Sequence, residues 1–133
     1  WLEGQLRNVS LQSERCILLT HLPLKPGAAV DAGLLWNYEE VLDVIGNFSN
    51  SSCCTVPLVL AGHDHKGGHF FDSKTQTAHV TLPSPLSTDE GGCAHATIEV
   101  WDDRIEMHGK GLVKNRSFQL ASLQSQKAPG AEK

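Results

Sequence analysis

The sequence has no excess of basic residues, few cysteines and no long apolar run. Its 133 residues contain 11 Lys and Arg against 15 Asp and Glu, for a net charge of −4. This balance argues against nucleic acid or an anionic membrane as a partner, because both attract basic surfaces. No apolar run approaches the roughly 18 residues that a membrane-spanning helix needs. We therefore expect neither a nucleic-acid binder nor a membrane protein.

The four cysteines are too few for a disulfide scaffold, and two of them, Cys53 and Cys54, are adjacent. Adjacent cysteines do not bridge each other easily, and this pair has no further Cys or His at zinc-knuckle spacing. We interpret all four as reduced thiols. Because the N-terminus does not resemble a signal peptide either, the sequence predicts a cytoplasmic protein.

Apolar periodicity predicts two helix–strand units in the first half of the chain. Residues 1–8 and 34–45 carry apolar residues at helical spacing. Residues 16–20 and 56–61 form short apolar runs without alternation, which is typical of strands buried on both faces. The first half is therefore expected to contribute parallel strands to a sheet.

The second half alternates with a period of two. Apolar and polar residues alternate over 94–100 and again after a turn at Asp102-Asp103, and residues 70–71 and 79–82 indicate earlier strands. We expect an α/β protein in which a mixed sheet packs on a second sheet, with helices outside. Residues 122–133 have few apolar side chains and are predicted to form a disordered tail.

The chemistry-bearing segment Gly62-His63-Asp64-His65-Lys66-Gly67-Gly68 directly follows the second buried strand. Ligands bind at the carboxyl ends of strands in α/β sheets. Imidazoles suit Zn, Mn, Fe or Ni, and two such metals about 3.5–4 Å apart commonly hydrolyse phosphate esters and anhydrides. This segment therefore predicts a metal site.

His21 ends the other buried strand, just before Pro23. If the two strands are parallel neighbours, His21 lies at the same edge of the sheet as His63 and His65. Both strand ends would then contribute imidazoles to one site.

The segments Thr20-His21-Leu22-Pro23 and Gly62-His63-Asp64-His65 resemble the last two motif blocks of a calcineurin-like metallophosphoesterase. Within that family, the chain is most similar to the manganese-dependent ADP-ribose/CDP-alcohol diphosphatases. Three segments over residues 1–112 carry this closer similarity: Leu35-Trp36-Asn37-Tyr38-Glu39-Glu40, Ala61 through Gly68, and Val100 through Ile105.

The resemblance implies the C-terminal half of a calcineurin-like metallophosphoesterase sandwich, incomplete, over residues 1–121. It implies two divalent metal ions, Mn²⁺ above all, with Zn²⁺ or Mg²⁺ as alternatives. His21 and His63 would bind one metal and His65 the other, whereas Asp64 inherits no role. The implied partner is a small-molecule nucleotide, and the complete enzyme is expected to be a monomer.

The chain lacks the motif blocks that precede these two in the family. The D-x-H, G-D-x-x-D and G-N-H blocks supply the remaining ligands and the transition-state histidine, and none of them occurs in this sequence. Three histidines cannot fill two metal shells, and two adjacent cations repel each other without a bridging carboxylate. We identify no catalytic residue in the chain and expect it to be inactive alone.

Three further features carry weaker predictions. Pro83 and Pro85 stand where the subfamily usually continues a strand, so the strand and any substrate contact there are in doubt. Trp36 and Tyr38 follow the His21 loop and are candidates for stacking on a nucleotide base, with packing in the core as the alternative. His79, His95 and His108 are expected to face solvent.

The complete enzyme is thus expected to hydrolyse the pyrophosphate bond of ADP-ribose, CDP-alcohols and related nucleoside diphosphate compounds with metal assistance. Two alternatives stay open. The chain is either a non-catalytic fragment with a binding or regulatory role, or part of another calcineurin-like phosphodiesterase.

Overall fold

A computed structural model describes residues 1–49, 55–89 and 92–120. Cys53, Cys54 and the predicted tail at 122–133 lie outside these residues. No helix in the described ranges is long and apolar enough to cross a membrane. The helices and strands follow in chain order: α1 Leu2–Leu11, β1 Ile17–Leu19, α2 Tyr38–Phe48, β2 Leu58–Ala61, β3 Gly68–Asp72, β4 Thr77–Thr81, β5 Ala94–Val100, β6 Arg104–Gly111 and β7 Arg116–Gln119.

The first sheet is mixed and has the strand order β1-β2-β4-β3. Strand β1 is parallel to β2 and β2 to β4, whereas β3 returns antiparallel to β4. Strand β2 is largely buried, as its unbroken apolar run predicts. The prediction that β1 is buried on both faces is wrong, because β1 lies at the edge of the described sheet and Leu19 is 72% exposed.

The second sheet is antiparallel, with the order β5-β6-β7. Its inward side chains pack on one face of the first sheet, as the alternation over 94–107 predicts. The fully buried core between the sheets consists of Leu58, Ala78, Val80, Ile105, Met107 and Val113. The predicted arrangement of a mixed sheet on a second sheet is therefore confirmed.

The two helices cover the other face of the first sheet. Leu6 of α1 and Ile45 of α2 are each 1% exposed and pack with Leu24, Val56 and Val59. Helix α2 begins at Tyr38, later than the apolar pattern over 34–45 predicts, and Asn37 occupies its cap position. The Asn37 side-chain amide donates to the Glu40 carboxylate at 3.2 Å and makes no capping hydrogen bond to the backbone. The result is three layers: helices, mixed sheet and antiparallel sheet.

His79 corrects the expectation that the strand histidines face solvent. It lies in the central strand β4, is 2% exposed, and neither ring nitrogen has a hydrogen-bond partner. Its register partners are Val59 on β2 and Phe70 on β3, so strands flank it on both sides. His95 and His108, on the hairpin of the second sheet, are exposed as predicted.

Candidate metal centre

Strands β1 and β2 bring His21 beside the glycine that precedes His63. The parallel pairing continues past both strands: the Thr20 N–H donates to the Leu60 carbonyl at 3.0 Å, and the Gly62 N–H donates to the His21 carbonyl at 3.1 Å. The imidazole rings of His21 and His63 lie 5.2 Å apart, centroid to centroid, at an angle of 72°. The expectation that parallel neighbours place these histidines at one sheet edge is confirmed.

The backbone turns sharply at His63. Its φ angle is +67°, a left-handed conformation that is unfavourable for a residue with a β-carbon. The turn brings the His63 ring against His21 instead of letting the strand continue. Strained backbone of this kind collects at functional sites, where the surrounding structure maintains it.

Asp64 holds this turn in place. Its carboxylate accepts hydrogen bonds from the Val30 N–H at 2.9 Å and from the Lys66 N–H at 3.1 Å. The hydrogen bond from Val30 is the main reason that the pKa of Asp64 lies below its ordinary value. Burial opposes this shift, and the Lys66 N–H and the charges of Lys66 and His63 add to it. Both oxygens of the carboxylate therefore already accept hydrogen bonds, from the backbone of two loops.

His65 completes a groove at this edge of the sheet. The Ser84 N–H donates to the His65 carbonyl at 3.1 Å, which ties the histidine loop to the segment after β4. The groove has a volume of about 330 Å³ and is lined by His21, Gly62, His63, His65, Ala94 and residues 82–85. The structure thus brings all three predicted ligands to one surface.

The prolines form a wall of this groove. Strand β4 ends at Thr81, although the Leu82 N–H still donates to the Ala61 carbonyl at 2.8 Å. The Ser84 hydroxyl then accepts from the Leu86 N–H at 3.1 Å and caps a single 3₁₀ turn over Pro85–Ser87. Pro83 and Pro85 therefore end the strand early and support the histidine loop.

Gly67 provides the contact between the two segments. Its φ angle is +68°, and a β-carbon there would lie 2.8 Å from Cδ of Pro83 and 2.9 Å from the Thr81 carbonyl oxygen. Only glycine combines this conformation with so close an approach.

The candidate metal ligands in the groove are all imidazole nitrogens. The three imidazoles are exposed, and none has a hydrogen-bond partner among the described residues. Imidazole side chains of this kind are suitable ligands for Mn²⁺ or Zn²⁺. Within the described ranges, however, the three do not converge as one cluster of ligand atoms, and no carboxylate joins them. The groove therefore fits part of a metal centre.

Trp36 and Tyr38 do not line this groove. Trp36 is 87% exposed, so the alternative that it packs in the core is wrong for this residue. Tyr38 begins α2, borders a separate cleft between α2 and β3, and donates to the Glu39 carboxylate at 3.4 Å. Slight burial and the nearby carboxylates of Glu39 and Asp31 raise the pKa of Tyr38.

Sequence reasoning missed one group of candidate ligands, Glu99, Glu106 and His108 on the hairpin of β5 and β6. The period-two pattern already places all three among the polar positions of the hairpin. The missing signal was the strand register, which decides which polar positions meet.

The fold, with its histidine groove, matches part of a dimetal phosphatase. The crystal structure of a dimetal phosphatase from Danio rerio matches the chain with a TM-score of 0.83 and 34% identity, over 91% of this chain and 37% of that one. The prediction of part of a metallophosphoesterase sandwich is confirmed.

The relatives name the family more closely. Proteins named manganese-dependent ADP-ribose/CDP-alcohol diphosphatase are 34% identical over 119 residues in Arabidopsis thaliana and 38% identical over 109 residues in Oryza sativa subsp. japonica. These matches cover 90% and 82% of the chain but only 36% and 32% of the relatives. The chain is therefore homologous to these diphosphatases and spans about a third of their length. No protein-family model matches it.

Proposed function

We propose that this chain is the portion of a metal-dependent nucleotide diphosphatase that supplies three imidazole ligands and one wall of the active site. The reaction would be hydrolysis of the pyrophosphate bond of ADP-ribose, CDP-alcohols and related nucleoside diphosphate compounds. The main observation in support is the meeting of His21 and His63 at the ends of two parallel strands, with ring centroids 5.2 Å apart. The cytoplasmic location and the monomeric state stay predictions.

His21 and His63 would hold one metal and His65 the second. When bound, two Mn²⁺ ions would neutralise charge on the phosphate oxygens and lower the pKa of water. The chain's own residues orient the ligands. The Asp64 carboxylate accepts the Val30 N–H and so stabilises the turn at His63, and the Ser84 N–H donates to the His65 carbonyl. Substrate would enter between the histidines and the wall of residues 82–85.

The chain by itself would be inactive. The one carboxylate inside the histidine loop, that of Asp64, already accepts two backbone hydrogen bonds and is committed there. Two divalent ions close together repel each other strongly unless a carboxylate lies between them. Carboxylate ligands would have to come from residues outside this sequence.

A chimera tests the proposal. The segment of the Danio rerio dimetal phosphatase that matches this chain is replaced by the chain, and ADP-ribose hydrolysis is measured with Mn²⁺. We expect turnover that His63→Ala lowers by at least about a hundredfold, since loss of a partner that merely supports a ligand already costs roughly ten- to a hundredfold. His95→Ala, an exposed histidine outside the groove, is the matched control and should leave the rate unchanged.

Two further assays separate the alternatives. The 133-residue chain alone, given Mn²⁺ and ADP-ribose, should show no turnover; hydrolysis that His63→Ala abolishes would contradict the proposed dependence on outside carboxylates. For the chimera, CDP-choline should be cleaved like ADP-ribose. Preference for a cyclic nucleotide or a phosphomonoester would instead favour another phosphodiesterase.

A further inference from the structure

The outer face of the second sheet carries a cluster of potential ligands away from the histidine groove. In the antiparallel register, Glu99 of β5 lies directly opposite Glu106 of β6. His108 is two residues after Glu106 and so projects from the same face of the strand. None of the three lines the histidine groove. The cluster is therefore a separate feature of the molecule.

The three side chains converge on one point. Nε2 of His108 lies 3.3 Å from Oε2 of Glu99 and 3.5 Å from Oε2 of Glu106. Within residues 1–49, 55–89 and 92–120, this is the one group of three such side chains whose ligand atoms all lie within 4.8 Å of one another. A single ion could contact all three after small side-chain rotations.

The charges around this point favour a bound cation. Carboxylates directly opposite each other on neighbouring strands repel and destabilise the pairing. Arg104 neutralises only one side, because its Nε donates to Oε1 of Glu106 at 2.7 Å and its NH1 pairs with Asp103. The Oε2 atoms of both glutamates remain close to Nε2 of His108, at 3.3 and 3.5 Å.

From this geometry we infer that Glu99, Glu106 and His108 form a surface site for one Zn²⁺ ion. One imidazole nitrogen and two carboxylate oxygens are ligands that zinc accepts, with water in the fourth position of a tetrahedral shell. Zinc is also favoured over manganese by nitrogen and oxygen sites of equal geometry. A zinc ion here would join β5 to β6 and relieve the repulsion between the two glutamates.

Isothermal titration with zinc chloride tests the site in a chain whose histidine groove has been removed by His21→Ala, His63→Ala and His65→Ala. We expect one Zn²⁺ per chain, with binding at least tenfold weaker after a further His108→Gln or Glu99→Gln. The matched control is His95→Gln, at another exposed histidine on β5, which should leave the affinity unchanged. Circular dichroism confirms that each variant is folded.

Nuclear magnetic resonance of the unsubstituted chain gives a result that does not depend on any variant. Saturating Zn²⁺ should move the ¹⁵N resonance of His108 Nε2 to the position of a metal-bound imidazole and leave His95 unaffected. The inference is overturned if the His108 resonance does not respond, or if His108→Gln and Glu99→Gln bind zinc as tightly as their parent. The three side chains would then form an ion-pair network alone.

Discussion

At the scale of single residues, the histidine loop depends on close contacts that few side chains could make. Gly67 is the clearest case, because both its left-handed backbone and its approach to Pro83 exclude a β-carbon. Because glycine has no β-carbon, the pair Gly67-Gly68 in the sequence permits close backbone approach. Its partner, the proline segment, could not be predicted, since that contact depends on how the segment after β4 returns to the loop.

Gly67→Ala should destabilise the fold by about 1–3 kcal/mol, the usual range for a strained φ angle. Gly4→Ala is the matched control: Gly4 lies in α1 with no atom within 4 Å of a β-carbon, and alanine there should stabilise the helix by up to about 1 kcal/mol. Urea unfolding of both variants gives the two free energies. Equal changes in the same direction would contradict the described contact.

His79 predicts how stability depends on pH. Burial, with a contribution from the charge of Lys25, lowers the pKa of His79 from 6.5 to about 4; the Asp72 carboxylate opposes this and His69 adds to it. The folded protein thus keeps His79 neutral, whereas the unfolded chain takes up a proton below pH 6.5. This contribution is fully present above pH 6.5 and declines as the pH falls towards 4, by about 3 kcal/mol in total.

The free energy of unfolding, measured between pH 7 and pH 4, should therefore fall less steeply in His79→Leu than in the unsubstituted chain. His95→Gln removes an exposed histidine and should keep the original slope. Parallel curves for His79→Leu and the unsubstituted chain would show that His79 is not buried in neutral form.

At the scale of elements, the loop between β2 and β3 is organised by one carboxylate. Asp64 joins it to the chain at Val30, so the loop and the segment before α2 should move together. The sequence indicated that ligands gather at the ends of β1 and β2, because the carboxyl ends of parallel strands share an edge. It could not indicate the hydrogen bond to Val30, which joins residues 34 positions apart.

Asp64→Asn should lower stability by about 1 kcal/mol, because its single amide oxygen can accept only one of the two backbone hydrogen bonds that the two carboxylate oxygens accept. Asp64→Ala removes both bonds and should lower it further. Thermal unfolding at neutral pH gives this order. If both variants matched the unsubstituted chain, Asp64 would not hold the loop.

At the scale of the whole molecule, the layers were predictable and the outer surfaces were not. Unbroken apolar runs and period-two alternation predict two sheets with helices outside, and this prediction is confirmed. Leu19 and Trp36 show why the remainder could not be predicted. Leu19 was expected in a buried strand, and packing in the core was one of two interpretations of Trp36. Burial also depends on which elements lie beside a strand or loop, and β1 is an edge strand of the described sheet.

The exposed edge predicts self-association of the chain. Edge strands with apolar side chains pair readily with other chains. Leu19→Lys should shift the chain towards monomer in analytical ultracentrifugation. Leu86→Lys, at an 84% exposed position outside the sheets, is the control. An equal effect of both substitutions would point to general solubility and not to the strand edge.

The central claim is that the imidazoles of the groove bind the metal of a nucleotide diphosphatase. Its most direct test is electron spin-echo envelope modulation of the Mn²⁺-loaded chimera, which detects nitrogen bound to manganese. We predict that His63→Ala weakens the nitrogen signal and that His95→Ala leaves it unchanged. A signal of full strength in His63→Ala would contradict the account, because Mn²⁺ would then be bound without the residue that the structure places beside His21.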